Sequence, residues 1–147
     1  MKIAIVGIGG VGGYFGGKLA REYDSKDDHQ IFFVVRGPHL EKIKEKGLEV
    51  ATQEEGTFIA RPAYATDNPE ELGPVDAIIF CVKGYGLDAA AGMLANNIHD
   101  DTVIITLLNG VDNAERLQAS LHEGSVLNGC VYISSRIVSP GKIEQVA

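Results

Sequence analysis

Near its start the chain reads Lys2-Ile3-Ala4-Ile5-Val6-Gly7-Ile8-Gly9-Gly10-Val11-Gly12, and this stretch is the most informative about the architecture. The apolar run Lys2–Val6 predicts a short strand buried on both faces. The glycines after it match the spacing G-x-G-x-x-G, and apolar residues then recur at helical spacing as far as Tyr23. Strand, glycine loop and helix in this order predict the first βαβ unit of a dinucleotide-binding domain.

The six residues that follow the first strand form the candidate phosphate loop: Gly7, Ile8, Gly9, Gly10, Val11 and Gly12. In such loops the first glycine allows a tight turn, the second lets the backbone approach a pyrophosphate, and the third lets helix and strand pack closely. The helix N-terminus adds free N–H groups and a partial positive charge. We therefore predict that all six residues contact a cofactor. The alternative is a glycine-rich turn that holds no ligand.

Strand-like and helix-like segments alternate along the rest of the chain. Further strands are predicted at 31–35, 75–82, 102–108 and 125–133, helices at 38–46, 87–97 and 113–121, and a hairpin at 48–51 and 57–60. After Ser139-Pro140-Gly141 the chain is expected to return as a strand. The alternation predicts an α/β fold, a doubly wound parallel sheet of the Rossmann type, with residues 1–147 as one dinucleotide-binding domain.

Composition and charge narrow the function classes. The 147 residues carry 13 Lys and Arg against 20 Asp and Glu, a formal net charge of −7. An acidic chain has no general attraction to nucleic acids or anionic membranes, so neither is expected as a partner. The apolar runs are far shorter than the about 20 residues that cross a bilayer, and the N-terminal run is too short for a signal peptide. We expect a cytoplasmic protein.

Cysteine and histidine spacing predicts no metal site. Cys81 and Cys130 lie in predicted buried strands and lack CxxC spacing, which indicates reduced core thiols. The histidines are scattered and are expected at the surface: His29, His39, His99 and His122.

The residue after the second strand bears on the choice of nucleotide. NAD sites usually place Asp or Glu there, where the carboxylate accepts hydrogen bonds from the ribose. Here the strand runs into Arg36-Gly37. A guanidinium can hold a 2′-phosphate through two parallel hydrogen bonds. Arg36 therefore favours NADP (NADPH) over NAD, the alternative being a solvated surface arginine.

Two polar residues follow the next strands of the predicted sheet. Lys83 comes after Phe80-Cys81-Val82, and Asn109 comes after Leu107-Leu108. Ligands of such sheets bind beyond the carboxyl ends of the strands. We predict that Lys83 contacts the cofactor or a carboxylate substrate and that Asn109 hydrogen-bonds cofactor or substrate; an exposed lysine and an Asn-Gly turn are the alternatives. Tyr85 is expected to pack rather than to stack on a ligand.

Six segments, spread over nearly the whole chain, occur together in one enzyme family. They are the glycine loop at 7–12, Val35-Arg36-Gly37, residues 39–43 with Gly47-Leu48, Phe80-Cys81-Val82-Lys83, Leu108-Asn109-Gly110-Val111 and Ser139-Pro140-Gly141-Lys142-Ile143. With them the chain resembles the N-terminal domain of ketopantoate reductase. The resemblance implies an NADP-dependent oxidoreductase that reduces 2-dehydropantoate to pantoate, a step toward pantothenate and coenzyme A.

The resemblance also implies roles for individual residues. The glycine loop would bind the pyrophosphate and Arg36 the 2′-phosphate. Lys83 would contact the cofactor, and Asn109 both nicotinamide and substrate. A further cofactor contact after the sixth strand falls near Ser135, where the match is loose because the family often has Ala.

The family's catalytic lysine belongs to a helical C-terminal substrate domain, which is absent from these 147 residues. We therefore expect no catalytic residue in this chain, inactivity of these residues alone, and any homodimer to form through that domain. The expected partner is a small 2-oxoacid. Two other hypotheses remain: another 2-oxoacid or 3-hydroxyacid dehydrogenase of related architecture, and a non-catalytic nucleotide-sensing module.

Overall fold

The computed structural model describes residues 1–26 and 28–147. Its strands are β1 (Lys2–Val6), β2 (Gln30–Val34), β3 (Leu48–Thr52), β4 (Gly56–Ala60), β5 (Tyr64–Thr66), β6 (Ala77–Phe80), β7 (Val103–Thr106), β8 (Ser125–Asn128), β9 (Ser135–Ser139) and β10 (Lys142–Gln145). Its α-helices are α1 (Gly10–Glu22), α2 (Gly37–Lys46), α3 (Leu87–Leu94) and α4 (Asn113–Ser120). No helix in the described ranges is long and apolar enough to span a membrane.

Six parallel strands form the main sheet, in the order β5-β2-β1-β6-β7-β8. Alternate residues of each strand face opposite sides. Ile5 and Phe33 pack with apolar residues of α1, α2 and the second sheet, whereas Val6 and Phe80 pack with those of α3 and α4. Both faces are thus covered, which explains why these strands read as nearly continuous apolar runs. The predicted doubly wound α/β fold is confirmed.

The strand order reverses direction beside β1. The chain moves outward through β2 and β5 on one side of β1, then returns to place β6, β7 and β8 on the other. In open α/β sheets a crevice forms at such a reversal, beyond the carboxyl ends of the strands. The glycine loop follows β1 and therefore lies at this crevice.

A second sheet of four strands, in the order β4-β3-β10-β9, packs against α1. The hairpin β3–β4 was predicted, and so was a returning strand at the end of the chain. The sequence did not indicate that β10 inserts between β3 and β9, pairing parallel to the first and antiparallel to the second.

Three glycines on α1 make room for this sheet and for the main sheet. A Cβ at Gly13 would lie 2.5 Å from Ile143 Cγ1, one at Gly16 3.1 Å from Ile5, and one at Gly17 2.8 Å from Val50.

The structure differs from the predicted local structure in three respects. β8 ends at Asn128 rather than Ile133, so Cys130 is exposed instead of buried in a strand. β6 and β7 are shorter than the strands predicted at 75–82 and 102–108. The apolar residues beyond Phe80 and Thr106 lie in the loops at the carboxyl edge. β5 was missed altogether: three residues pairing with β2 are too few to give a periodic signal.

Candidate functional site: the crevice beside the glycine loop

The first glycine of the loop is held between two strands. Gly7 has φ +91°, a left-handed conformation that favours glycine, and its N–H donates to the Val34 carbonyl over 3.0 Å. A Cβ at this position would lie 2.9 Å from the backbone nitrogen of Val82, which follows β6. The loop therefore turns tightly over the ends of β2 and β6, as the motif requires.

The next glycines differ sharply in the space around them. A Cβ at Gly12 would lie 2.0 Å from the Gly7 carbonyl oxygen, and one at Gly10 would lie 2.1 Å from the Ser135 carbonyl oxygen. At Gly9 no atom of residues 1–26 or 28–147 lies within 4 Å of that position. Gly10 and Gly12 are therefore required by the packing of the protein itself. Gly9 is not, and its missing side chain leaves open space directly at the start of α1.

The N-terminus of α1 faces this open space. α1 begins at Gly10, Gly9 is its N-cap residue without a side-chain cap, and the Gly13 N–H donates to the Gly9 carbonyl over 2.8 Å. The N–H groups of the first turn have no earlier carbonyls within the helix to pair with. They supply the hydrogen-bond donors and partial positive charge that a pyrophosphate needs.

Arg36 lies where the sequence predicts, two residues beyond β2. It is exposed, and within the described residues it forms no ion pair. It is also the N-cap residue of α2, and Gly37 after it has φ +66°. The guanidinium therefore stands free beside the positive end of a helix, an arrangement suited to a phosphate rather than to a ribose hydroxyl alone.

Lys83 and Asn109 lie in adjacent loops of the same sheet edge. β6 and β7 pair in register, and the Leu107 N–H extends the ladder to the Phe80 carbonyl over 2.9 Å. Both Lys83 and Asn109 are exposed. Tyr85 is 92% exposed, so the expectation that it packs is wrong. The structure thus brings the two predicted polar residues to the carboxyl edge together, with an aromatic ring beside them.

Two residues that sequence reasoning missed support these loops. Asn113 is only 2% exposed, and its side-chain amide donates to the Asn109 carbonyl over 3.1 Å. Arg116 donates to the Gly84 carbonyl over 3.1 Å and pairs with Asp88 at 3.0 Å. Asn113 follows the N-cap residue Asp112, and its amide donates instead of accepting, so no capping pattern in the sequence indicates its role. Nothing local in the sequence indicates the partner of Arg116 either.

Ser135 is brought to the loop through its backbone rather than its hydroxyl. Its carbonyl lies against Gly10, at the first residue of α1. Its Oγ is buried and forms no hydrogen bond with the part of the chain that the structure describes. The loose match at Ser135 therefore still identifies a segment that borders the crevice, although the hydroxyl does not extend into open space as a ready ligand contact.

The burial of His39 differs from the sequence expectation, whereas Cys81 is a largely buried thiol as expected, although it lies just beyond β6. His39 is half-buried rather than at the surface, and burial lowers the pKa of its ring. Its Nδ1 accepts a hydrogen bond of 2.8 Å from the Gly141 N–H. Cys81 lies under the glycine loop, where burial raises the pKa of its thiol to about 12 and keeps it protonated.

A model of one protein family, described as "Ketopantoate reductase PanE/ApbA", matches residues 3–147. The chain belongs to this family. The predicted resemblance is confirmed. Members of the ketopantoate reductase family are oxidoreductases that depend on a nicotinamide dinucleotide.

Individual relatives are similar to this chain in sequence, and a solved structure is similar to it in fold. A Bacillus subtilis protein named uncharacterized oxidoreductase YkpB is 34% identical over 147 residues, 100% of this chain and 46% of that protein. A 2-dehydropantoate 2-reductase of Mesorhizobium japonicum is 38% identical over 111 residues, 76% of this chain and 32% of that protein. The crystal structure of 2-dehydropantoate 2-reductase from Porphyromonas gingivalis W83 is 44% identical with a TM-score of 0.92, over 100% of this chain and 52% of that one. The chain spans about half the length of the curated relatives it matches.

Proposed function

We propose that residues 1–147 form the NADPH-binding part of an enzyme that reduces 2-dehydropantoate to pantoate. The open space at Gly9, directly before the N-terminus of α1, is the observation that carries the proposal. Packing explains the glycines at 10 and 12 but not the one at 9. A pyrophosphate that approaches the backbone closely supplies the missing reason.

Each part of the crevice has a proposed role. The loop Gly7–Gly12 binds the pyrophosphate, and Arg36 binds the 2′-phosphate. Lys83 and Asn109 orient the nicotinamide and the carbonyl and carboxylate of the 2-oxoacid. When bound, the reduced nicotinamide supplies the hydride. We assign proton donation to the new hydroxyl to a general acid outside residues 1–147, because Lys83 and Asn109, the polar side chains predicted at this edge, are exposed, whereas a general acid must be held against the substrate.

NADPH is proposed over NADH because of the charge at the end of β2. No carboxylate follows β2 directly, and Arg36 presents an exposed guanidinium there. The fold alone leaves the choice open: D-mandelate dehydrogenase, 22% identical with a TM-score of 0.84, has a ternary structure with NADH. The same protein is the reason to keep a second candidate, the reduction of a different 2-oxoacid at the same site.

Calorimetric titration of this chain with NADPH and NADH tests the cofactor. A charge-assisted bidentate contact contributes roughly 1.5–3 kcal/mol, so we expect NADPH to bind about 10- to 150-fold more tightly. Arg36→Ala should remove that preference and leave NADH affinity nearly unchanged. Arg61→Ala is the matched control, because its guanidinium donates to the Lys46 carbonyl at the opposite end of α2. Equal affinities in the wild type would rule out the assignment to NADP.

A further inference from the structure

The chain contains the same tripeptide at two places on the carboxyl edge of the main sheet. Leu108-Asn109-Gly110 follows β7, and Leu127-Asn128-Gly129 ends β8 and enters the next loop. Both asparagines are exposed. In an Asn-Gly pair the glycine backbone nitrogen can attack the side-chain carbonyl carbon of the asparagine, because glycine has no side chain to hinder the approach. For this attack the glycine N–H must lose its proton, so it must not be held in a hydrogen bond.

The N–H groups of the two glycines differ in exactly this respect. The Gly129 N–H donates to the Thr106 carbonyl over 2.8 Å and so extends the ladder between β7 and β8. A Cβ at Gly129 would lie 2.4 Å from the Leu107 side chain, so this backbone is also closely packed. Among the described residues, none accepts a hydrogen bond from the Gly110 N–H. The fold therefore holds one of the two nitrogens in the sheet and leaves the other available.

A buried side chain also makes the Gly110 nitrogen easier to deprotonate. The Asn113 amide donates to the Asn109 carbonyl over 3.1 Å. That carbonyl and the Gly110 N–H belong to one peptide group, in which the electrons are delocalised. A hydrogen bond to the oxygen draws electron density from the nitrogen, so the N–H becomes a stronger acid. Hydrogen bonding thus favours the attack at Asn109 and opposes it at Asn128.

We propose that Asn109 is a site of spontaneous deamidation. Hydroxide removes the proton of the Gly110 nitrogen, which then forms a bond to Cγ of Asn109. The side-chain nitrogen takes a proton from water and leaves as ammonia, and a five-membered succinimide remains. One water opens this ring to aspartate or isoaspartate. The net reaction consumes one water and releases one ammonia, and nothing is oxidised or reduced.

The consequence of this reaction at the crevice rests on the proposed function. The Asn109 amide both donates and accepts hydrogen bonds, whereas the carboxylate that replaces it only accepts. The new negative charge also repels the carboxylate of a 2-oxoacid. Gly110 has φ +121°, a conformation that residues with a side chain rarely adopt, so the loop requires the glycine that makes Asn109 reactive.

Peptide mapping by mass spectrometry, after incubation of the 147-residue chain in mildly alkaline buffer, tests the proposal. Trypsin cleaves after Arg116, so the two sites fall in separate peptides, and fragmentation assigns each mass gain to a residue. Asn128 is the matched control, because it lies between the same two residue types. We expect Asn109 to deamidate about tenfold faster, since Asn128 reacts only while the Gly129 hydrogen bond is open. In urea, where both N–H groups are free, the two rates should become similar.

Equal rates in the folded protein, or faster reaction at Asn128, would overturn the proposal. So would a difference that persists in urea, because the local sequence rather than the hydrogen bonding would then set the rates. A second incubation, with NADPH, separates this proposal from the proposed function. Slower reaction at Asn109 alone would support both. Fast reaction at Asn109 that NADPH leaves unchanged would support the deamidation site and overturn the contact between Asn109 and the cofactor.

Discussion

At the scale of single residues, the glycines of one loop are required for different reasons. Gly9→Val places a side chain in open space, so we expect the fold to survive and NADPH binding to be lost. Gly12→Val forces a side chain against the Gly7 carbonyl, so this variant should itself be destabilised. Thermal melts with and without NADPH distinguish the two. A ligand-induced shift that survives Gly9→Val would place the cofactor elsewhere.

The two cysteines should differ in reactivity by location. Cys130 is exposed, whereas Cys81 is mostly buried and its pKa is raised to about 12. Because the thiolate is the nucleophile, we expect one thiol per chain to react rapidly with iodoacetamide at pH 8 and Cys81 to react only after unfolding. Peptide mapping by mass spectrometry identifies the labelled residue. Rapid labelling of Cys81 would mean that the loop above it opens readily.

Among the elements, α1 packs between the main sheet and the second sheet. Ile143 of β10 is 1% exposed and lies against the glycine face of α1. Ile143→Ala should lower the free energy of unfolding by about 2–5 kcal/mol, as large-to-small changes in cores do. Urea denaturation measures it, with Val138→Ala as the control, because Val138 on the neighbouring strand is 58% exposed. Similar losses of unfolding free energy in both variants would contradict a stabilising contact between Ile143 and α1.

The sequence allowed the main sheet to be predicted because its signals are local. A buried strand, a glycine loop and a helical period are each readable within about twenty residues, and Gly7, Arg36, Lys83 and Asn109 all lie where their strands imply. The second sheet depends on pairing between Glu49 and Lys142, far apart in the chain, and no local pattern encodes a strand's partner. His39 was misplaced for the same reason, since its partner is Gly141.

In the molecule as a whole, the carboxyl edge of the main sheet, where the loops after β6, β7 and β8 lie, has large apolar and aromatic side chains that face solvent. Tyr85, Val111 and Tyr132 are each more than 90% exposed, in the loops after β6, β7 and β8. Such side chains beside a ligand crevice are typical of surfaces that another domain covers. The domain arrangement expected from the sequence, with a helical substrate domain beyond residue 147, stays a prediction.

We expect residues 1–147 alone to bind NADPH without turning over 2-dehydropantoate. Ketone reduction needs a proton donor and a pocket that orients the carbonyl, and general acid catalysis alone is worth about 10²- to 10⁴-fold in rate. NADPH oxidation followed by absorbance, with 2-dehydropantoate added, measures the rate. A full-length reductase of the family is the positive control. Turnover within about tenfold of that control would show that the catalytic groups lie within this chain.

The central position of β10 in the second sheet has a consequence for biosynthesis. The chain leaves the ribosome from its N-terminus, so β1, α1 and β2 are available long before residues 142–145. Until β10 arrives, β3 and β9 have no strand between them, and the small-residue face of α1 has no Ile143 to cover it. Pairing between such distant segments is slow, because the entropy cost of closing the intervening loop precedes the contacts that offset it. A nascent chain therefore carries the complete glycine-loop sequence before β10 can cover the glycine face of α1, and we expect it to bind nucleotide only once residues 142–145 have been synthesised.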